Sequence, residues 1–404
     1  MTTPRENLLK VFHHEKPDWI PIAGHCDPYN QPSREGMDPE LAEALGEVRW
    51  GGTATVVFSR WLGLDIMDWF GMPAVRIARR RVEVEQTVEG DVTTRIWHTP
   101  AGDLREVIRA CFDPGGAVSS NWTEHPVKGP EDLPRLAAIF EDEIIDLDPE
   151  GFQRTRQRRE LIGEDGLVLG SMEGTPLGMM FRVYCGVATL AYLWADAPGA
   201  LRDLFAVMEA NYLQRLKIGV QSDIDVVVSV DDTSTTAISP AMFEACNLDL
   251  TDARADAVHA AGKLYFHHSC GLIRDLLPLY RRTRMDAVHA FTIPPIGNIT
   301  VREGRRLLGD RITIMAGLQQ LVGPLDDRDA LRSAVHAMIR EASPWDHFTT
   351  AVAGYPHRTM EQTRFVVDCC RELSPRPWPP AGTQKDSQGR SKRYGNASRE
   401  PAMS

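Results

Sequence analysis

The sequence has no run of about 18 consecutive apolar residues, and its first residues do not join a charged segment to an apolar one. Both absences argue against a membrane span and a secretory signal, so we expect a cytoplasmic protein. Basic residues are also in deficit, because 45 Lys and Arg stand against 56 Asp and Glu and the net charge is -11. Clustered Lys and Arg bind nucleic acids and anionic membranes, so neither is an expected partner.

Cysteines are few and scattered. There are seven in 404 residues, an odd number without the density of a disulfide scaffold, which is typical of a reducing compartment. Hydrophobic residues make up 43% of the chain, enough to bury a large core. Composition therefore favours a soluble enzyme that acts on a small molecule, as a monomer or a homodimer.

The chain does contain a repeated pattern of apolar strand, loop and amphipathic helix after Glu164. Steps of roughly 25 to 60 residues between successive strands are typical of βα units. With two strands expected nearer the N-terminus, the pattern predicts a (β/α)8 barrel of the TIM type over residues 1–373. The predicted strands are 20–22, 55–58, 167–171, 226–230, 263–267, 287–290, 311–315 and 347–352, and the predicted helices are 4–14, 198–219, 240–261, 271–284, 300–308, 327–342 and 359–373.

Two segments depart from this repeat. Residues 75–112 alternate apolar and polar side chains between turn signals, which predicts an antiparallel meander of about three strands inserted into the barrel. Residues 374–404 join a Pro-rich stretch to a Gly-, Ser-, Lys- and Arg-rich one without apolar periodicity. We expect this tail to be disordered.

Polar side chains follow several of the predicted barrel strands. Catalytic groups of such barrels come from the C-terminal ends of the strands, so these side chains are the candidate site. Among them, Asp232 and His289 are the candidate catalytic residues, with a core histidine as the alternative for His289 and a helix N-cap or solvated turn as the alternative for the aspartates. The strand-end candidates are Glu173, Asp231, Asp232, His268, Cys270 and His289.

His268 and Cys270 are separated by one residue at a strand end. A bend there brings both side chains to one face, where a thiolate and a neutral imidazole bind zinc well. Glu173 is the candidate third ligand. Placing a carboxylate directly at a strand end costs free energy, so we expect it to do more than keep the protein soluble. The alternatives are a buried cysteine beside a hydrogen-bonded histidine, and a glutamate that orients an arginine.

Five short motifs follow one another along the chain. They are residues 5–22, Thr-Pro-Ala-Gly at 99–102, residues 170–176 with Cys185-Gly186, Asp231-Asp232 with Ser239-Pro240, and His268-Ser269-Cys270-Gly271. In this order they resemble the uroporphyrinogen decarboxylase superfamily over residues 5–373. The resemblance implies a distorted (β/α)8 barrel with one of two chemistries. One is the decarboxylation of uroporphyrinogen without a cofactor, and the other is zinc-assisted methyl transfer between a corrinoid and a thiol or other acceptor.

The decarboxylase branch carries arginines in the loop after the first strand, and these bind the carboxylates of the porphyrinogen. Here residues 23–29 contain no arginine, so uroporphyrinogen decarboxylation is not expected. A decarboxylase or lyase of a smaller carboxylate is the alternative, with Asp27 or Asp232 as proton donor.

The methyltransferase branch has a His-x-Cys pair and a further cysteine near a later strand end. His268 and Cys270 match the pair, but residues 348–356 contain no cysteine. Either another residue completes the zinc site, with Glu173, Asp232, His289 and His357 as the candidates, or the site binds zinc weakly or not at all.

The resemblance therefore predicts a methyltransferase acting on a small methyl donor or acceptor. The chain lacks the Asp-x-His-x-x-Gly pattern of cobalamin-binding proteins, so a separate corrinoid protein is the expected partner. The expected substrate contacts are His25, Tyr29, Asp231 and Tyr355. A third alternative is a non-catalytic ligand-binding barrel that has lost its metal together with the missing cysteine.

Overall fold

A computed structural model describes residues 2–25, 52–112, 118–317, 327–353 and 360–376. The strands within them are β1 (Ile22–His25), β2 (Asp65–Trp69), β3 (Val75–Ala78), β4 (Glu83–Glu89), β5 (Val92–Thr99), β6 (Gly102–Phe112), β7 (Val118–Glu124), β8 (Ile144–Leu147), β9 (Gly166–Glu173), β10 (Val226–Val230), β11 (Leu264–His268), β12 (Ala287–Phe291), β13 (Thr313–Gly317) and β14 (Phe348–Ala353). Eight of them are parallel and close into a barrel in the order β1-β14-β13-β12-β11-β10-β9-β2.

Helices follow most barrel strands and cover the outside of the barrel. They are α1 (Pro4–Phe12), α2 (Gly52–Leu62), α3 (Leu133–Glu141), α4 (Pro149–Ile162), α5 (Pro176–Met179), α6 (Gly186–Asp196), α7 (Pro198–Gly219), α8 (Pro240–Cys246), α9 (Leu248–His259), α10 (Leu277–Tyr280), α11 (Val301–Leu308), α12 (Arg328–Glu341) and α13 (Met360–Leu373). Short 3-10 turns span Pro130–Asp132, Gly163–Asp165 and Arg274–Leu276, and Met180–Tyr184 forms a π-helix. None of the described helices is both long and apolar enough to cross a membrane.

Helix α1 closes the end of the barrel at which the strands begin. Its side chains Leu8 and Phe12 are buried in the same apolar cluster as Leu167 and Phe266, and the rings of Phe12 and Phe266 lie 4.6 Å apart. A capping box between Thr3 and Glu6 starts this helix. The polar side chains of the candidate site lie at the opposite rim of the barrel, where the strands end.

The predicted barrel is confirmed, and its six strands from residue 167 onward lie within two residues of the expected positions. The strand predicted at residues 55–58 is wrong, because these residues lie in α2. Val56, Val57 and Phe58 are almost completely buried in that helix. A short apolar run of this kind has no periodicity that separates a buried helix from a buried strand.

The second barrel strand is instead β2, which reads Asp-Ile-Met-Asp-Trp. Its two aspartates interrupt the apolar run that is typical of an interior strand, yet both side chains are buried and hydrogen-bonded. Asp65 accepts hydrogen bonds from the Trp19 indole and the Ile22 amide, and Asp68 accepts two from Arg158. These long-range pairs compensate for burying the charges, and the sequence pattern does not contain them.

The predicted insertion is present, with different limits. Strands β4 to β7 form a four-stranded antiparallel sheet that reaches Glu124, whereas β3 pairs with β8 in a separate two-stranded sheet. The predicted meander at residues 75–112 therefore includes β3, which belongs to the other sheet. It stops before β7, which is the fourth strand of the antiparallel sheet. Most of the predicted tail, residues 377–404, lies outside the described residues.

Candidate functional site

Four neighbouring barrel strands bring residues at or near their ends to one level. The register pairs Glu173 of β9 with Val230 of β10, Val230 with His268 of β11, and His268 with His289 of β12. Because the strands are parallel, the loops that follow them also meet at this rim. The strand-end candidates predicted from the sequence therefore do lie side by side.

Three side chains at this rim form a cluster that is suited to a metal ion. Nε2 of His268 lies 2.9 Å from Oδ1 of Asp232, and the Cys270 thiol donates to the same oxygen over 3.5 Å. The three donor atoms lie within 4.8 Å of one another. Tetrahedral zinc with bonds of about 2.0 to 2.3 Å places its ligands about 3.3 to 3.7 Å apart, so the donor set fits zinc after small shifts.

The backbone holds Asp232 against the neighbouring strand. Its φ of 50° lies in the left-handed region, which is uncommon for a residue other than glycine. Its amide donates to the carbonyl of His268 over 3.0 Å. Backbone strain of this kind is concentrated at functional sites, and here it turns the carboxylate toward the His268 ring.

The two acidic groups of the cluster have opposite pKa shifts. Burial raises the pKa of Asp232, but the hydrogen bond from His268, its charge and that of Arg182 outweigh burial and lower the pKa to about 2. Burial, reinforced by the charge of Asp232 and its hydrogen bond, raises the pKa of the Cys270 thiol to about 12. At neutral pH the carboxylate is ionised and the thiol is protonated, so a metal that binds the thiolate must displace a proton.

His289 lies behind His268 and supports it. The Nδ1 atoms of the two rings are 2.8 Å apart, so one ring donates to the other. The Trp69 ring packs against both, with centroids 5.0 Å from His289 and 5.7 Å from His268. His289 thus fixes the ring orientation of His268 and leaves Nε2 directed at Asp232.

Glu173 and Asp231 have other partners. Glu173 forms an ion pair with Arg215 and lies outside the three-residue cluster, in agreement with the alternative that it orients an arginine. Asp231 is fully buried, where it accepts hydrogen bonds from the amide and hydroxyl of Thr175 and from Ser229. Asp231 therefore joins β10 to the loop after β9, and its expected contact with substrate stays a prediction.

One charged residue at the rim was missed by the sequence reasoning. Nε of Arg182 lies 2.8 Å from Oδ2 of Asp232, on the side away from His268. Arg182 belongs to the π-helix, and π-helices recur at functional sites. The available signal is that it is the one charged residue between positions 176 and 185.

The remaining predictions concern loops that the structure does not describe. Asp27, Tyr29, Tyr355 and His357 lie outside the described residues. For His25 the backbone at the end of β1 is described, and its side chain is not. Their proposed roles stay predictions.

The model of a protein family described as uroporphyrinogen decarboxylase (URO-D) matches residues 124–373. The chain belongs to the uroporphyrinogen decarboxylase family. The resemblance carried by the five sequence motifs is thereby confirmed. The matched residues include β9 to β14, and with them Arg182 and the Asp232, His268 and Cys270 cluster.

One solved structure extends the likeness in fold to nearly the whole chain. A methyltransferase from Methanosarcina mazei is 15% identical, with a TM-score of 0.59 over 92% of this chain and 99% of that chain. A B12-independent methionine synthase from Shewanella sp. W3-18-1 is 8% identical, with a TM-score of 0.46 over 88% and 97% of the two chains. At 15% identity, the likeness to the Methanosarcina mazei protein shows the fold alone. Comparison with curated proteins finds no match.

Proposed function

We propose that this protein is a methyltransferase that moves a methyl group between a small substrate and a corrinoid carried by a separate protein. The observation that carries the proposal is the Asp232, His268 and Cys270 cluster at the rim of a uroporphyrinogen decarboxylase family barrel. The Methanosarcina mazei protein of similar fold is described as a methyltransferase, which supports the same reading.

The donor set suits zinc, and Asp232 takes the place of the second cysteine that residues 348–356 lack. An ionised carboxylate, a neutral imidazole and a thiolate are ordinary zinc ligands, and three protein ligands leave a fourth position for substrate. When bound, zinc would lower the pKa of a coordinated thiol or polarise the oxygen of a methyl donor.

The protein residues would supply orientation around this position. A metal at Nε2 of His268 would displace the proton that this atom shares with Asp232, and Nδ1 of His268 would then donate to Nδ1 of His289, which lies 2.8 Å away. Trp69 provides an apolar wall beside both rings. The side chains of Asp232 and His268 are 27% and 19% exposed, so a small molecule can approach them from the rim.

Decarboxylation of a small carboxylate is the second candidate, because the family model is that of a decarboxylase. The pKa of Asp232 weighs against this residue as the proton donor. A carboxyl group with a pKa of about 2 holds no proton to give to a carbanion at neutral pH. Measuring carbon dioxide release separates the two candidates.

The test of methyl transfer uses methylcobalamin as the probe. We expect the zinc-loaded protein to change the visible spectrum of methylcobalamin in the presence of a suitable thiol or other acceptor. His268→Ala is expected to slow this change by about a hundredfold or more, since removal of a ligand removes the activated position. No spectral change with any acceptor, or carbon dioxide as the product, would contradict the proposal.

His289→Ala is expected to weaken zinc binding about tenfold to a hundredfold, because partners of ligating histidines contribute affinity of this order. His289→Asn is the matched control, since its amide oxygen replaces Nδ1 as an acceptor and is expected to retain most of the affinity. Competition with a chromophoric chelator measures both. Equal affinities for wild type and His289→Ala would show that the contact between the two rings does not orient the ligand.

A further inference from the structure

We propose that Arg182 makes this site selective for a substrate that carries a carboxylate or another small monoanion near its methyl group. The inference rests on the proposed function, because it concerns the metal-loaded state of the same cluster. It goes further by naming the chemical class of the substrate and the residue that recognises it.

The guanidinium of Arg182 is held in place at the rim and is partly free. Nε lies 2.8 Å from Oδ2 of Asp232, and Nη1 donates to the carbonyl of Val230. Within the described part of the chain, Nη2 makes no hydrogen bond. The side chain is 30% exposed, so Nη2 can meet a molecule that enters from solvent.

The charge balance at the cluster changes when a metal binds. Before binding, the positive charge of Arg182 is matched by the carboxylate of Asp232, whose Oδ2 lies 2.8 Å from Nε of Arg182. A divalent ion with one carboxylate, one thiolate and one neutral imidazole is already neutral. Arg182 then remains as an uncompensated positive charge at a partly desolvated position, and such a charge favours an anionic ligand.

Other cations near the rim are already matched. Arg215 is paired with Glu173, and the buried Arg254 is paired with Glu209. Metal binding by the cluster leaves both of those pairs intact. Arg182 differs because its own partner, Asp232, would be shared with the metal. Its planar guanidinium also offers the geometry that carboxylates prefer.

The test uses cobalt(II) as the metal and two pairs of probes that differ in charge. Acetate is compared with acetamide, and benzoate with benzamide, by titration of the cobalt-loaded protein while its visible absorption is followed. We expect wild type to bind the anion of at least one pair about tenfold more tightly than the amide, as a charge-assisted hydrogen bond implies.

Arg182→Gln is expected to bring the ratio of anion affinity to amide affinity close to one. Arg182→Lys is expected to keep an intermediate ratio, because lysine retains the positive charge but not the two parallel N–H donors of the guanidinium. Arg284→Gln, which removes an exposed arginine paired with Asp256, is the matched control and should behave as wild type. A purely structural role of Arg182 would alter cobalt affinity or the binding of both probes, and would leave their ratio unchanged.

The outcomes separate this inference from the proposed function. If cobalt binds but wild type shows no preference for either anion, or Arg182→Gln keeps the preference, the inference is overturned while the methyltransferase proposal stands. If the protein binds no cobalt at the cluster, both are overturned.

Discussion

Cys270→Ala is expected to reduce the zinc content of the purified protein from about one ion per chain to below about a tenth, because the ion would lose its thiolate. In the structure the Cys270 thiol already contacts Asp232, which in turn contacts His268. With two donors left, a divalent ion exchanges readily with solvent. Elemental analysis after dialysis against a weak chelator measures the loss.

Two variants sharpen this experiment. Cys246→Ala removes a partly buried thiol from α8, outside the cluster, and should leave the zinc content unchanged. Asp232→Asn keeps the size and one oxygen of the side chain but removes its charge, so an intermediate loss is expected. A wild-type protein that purifies without zinc and does not take it up would refute the zinc mechanism, whatever the variants do.

Arg254→Met is expected to lower the free energy of unfolding by about 3 to 5 kcal/mol, the usual cost of leaving one member of a buried ion pair without its partner. Arg254 is 1% exposed and donates two hydrogen bonds to Glu209. Its third bond, to Ser229, is continued by Ser229 to Asp231. The variant would therefore leave the Glu209 carboxylate buried without a partner. It would also remove the hydrogen bond to Ser229, which lies beneath the rim.

Urea unfolding followed by circular dichroism measures this loss. Arg284→Met removes an exposed ion pair with Asp256 and is expected to cost less than about 1 kcal/mol, since solvent screens such pairs. The double variant Arg254→Met with Glu209→Leu should recover much of the stability, because the Glu209 carboxylate is then no longer buried without its partner. If Arg254→Met alone is as stable as wild type, the buried network does not support the rim in the way described.

Much of the barrel was predictable because strands buried on both faces appear as apolar runs at regular spacing. Residues 226–230 and 198–219 are a strand and a helix at the predicted positions. Strand β2 was missed because Asp65 and Asp68 break its apolar run, and the partners that neutralise them lie far away in the sequence. Helix α2 was mistaken for a strand because the buried run Val56, Val57 and Phe58 is too short to show a helical period.

The candidate site was predictable to the extent that the barrel rule applies. Strand-end position and the spacing of His268 and Cys270 are enough to predict that pair, and the same rule brings His289 next to it. The rule does not say which carboxylate joins the pair. Glu173 and Asp232 are equivalent by that criterion, and each is adjacent to a strand end.

The amino-acid sequence by itself determined the barrel, the rim on which polar groups meet, and half of the candidate metal site. The tertiary structure decided the rest, because the choice depends on contacts between residues that are distant in sequence. Arg215 pairs with Glu173, whereas a left-handed backbone at Asp232 and a bond to the His268 carbonyl bring its carboxylate to the metal donors. Arg182 reaches the same carboxylate from the π-helix, a placement set by packing between elements and not by local propensity.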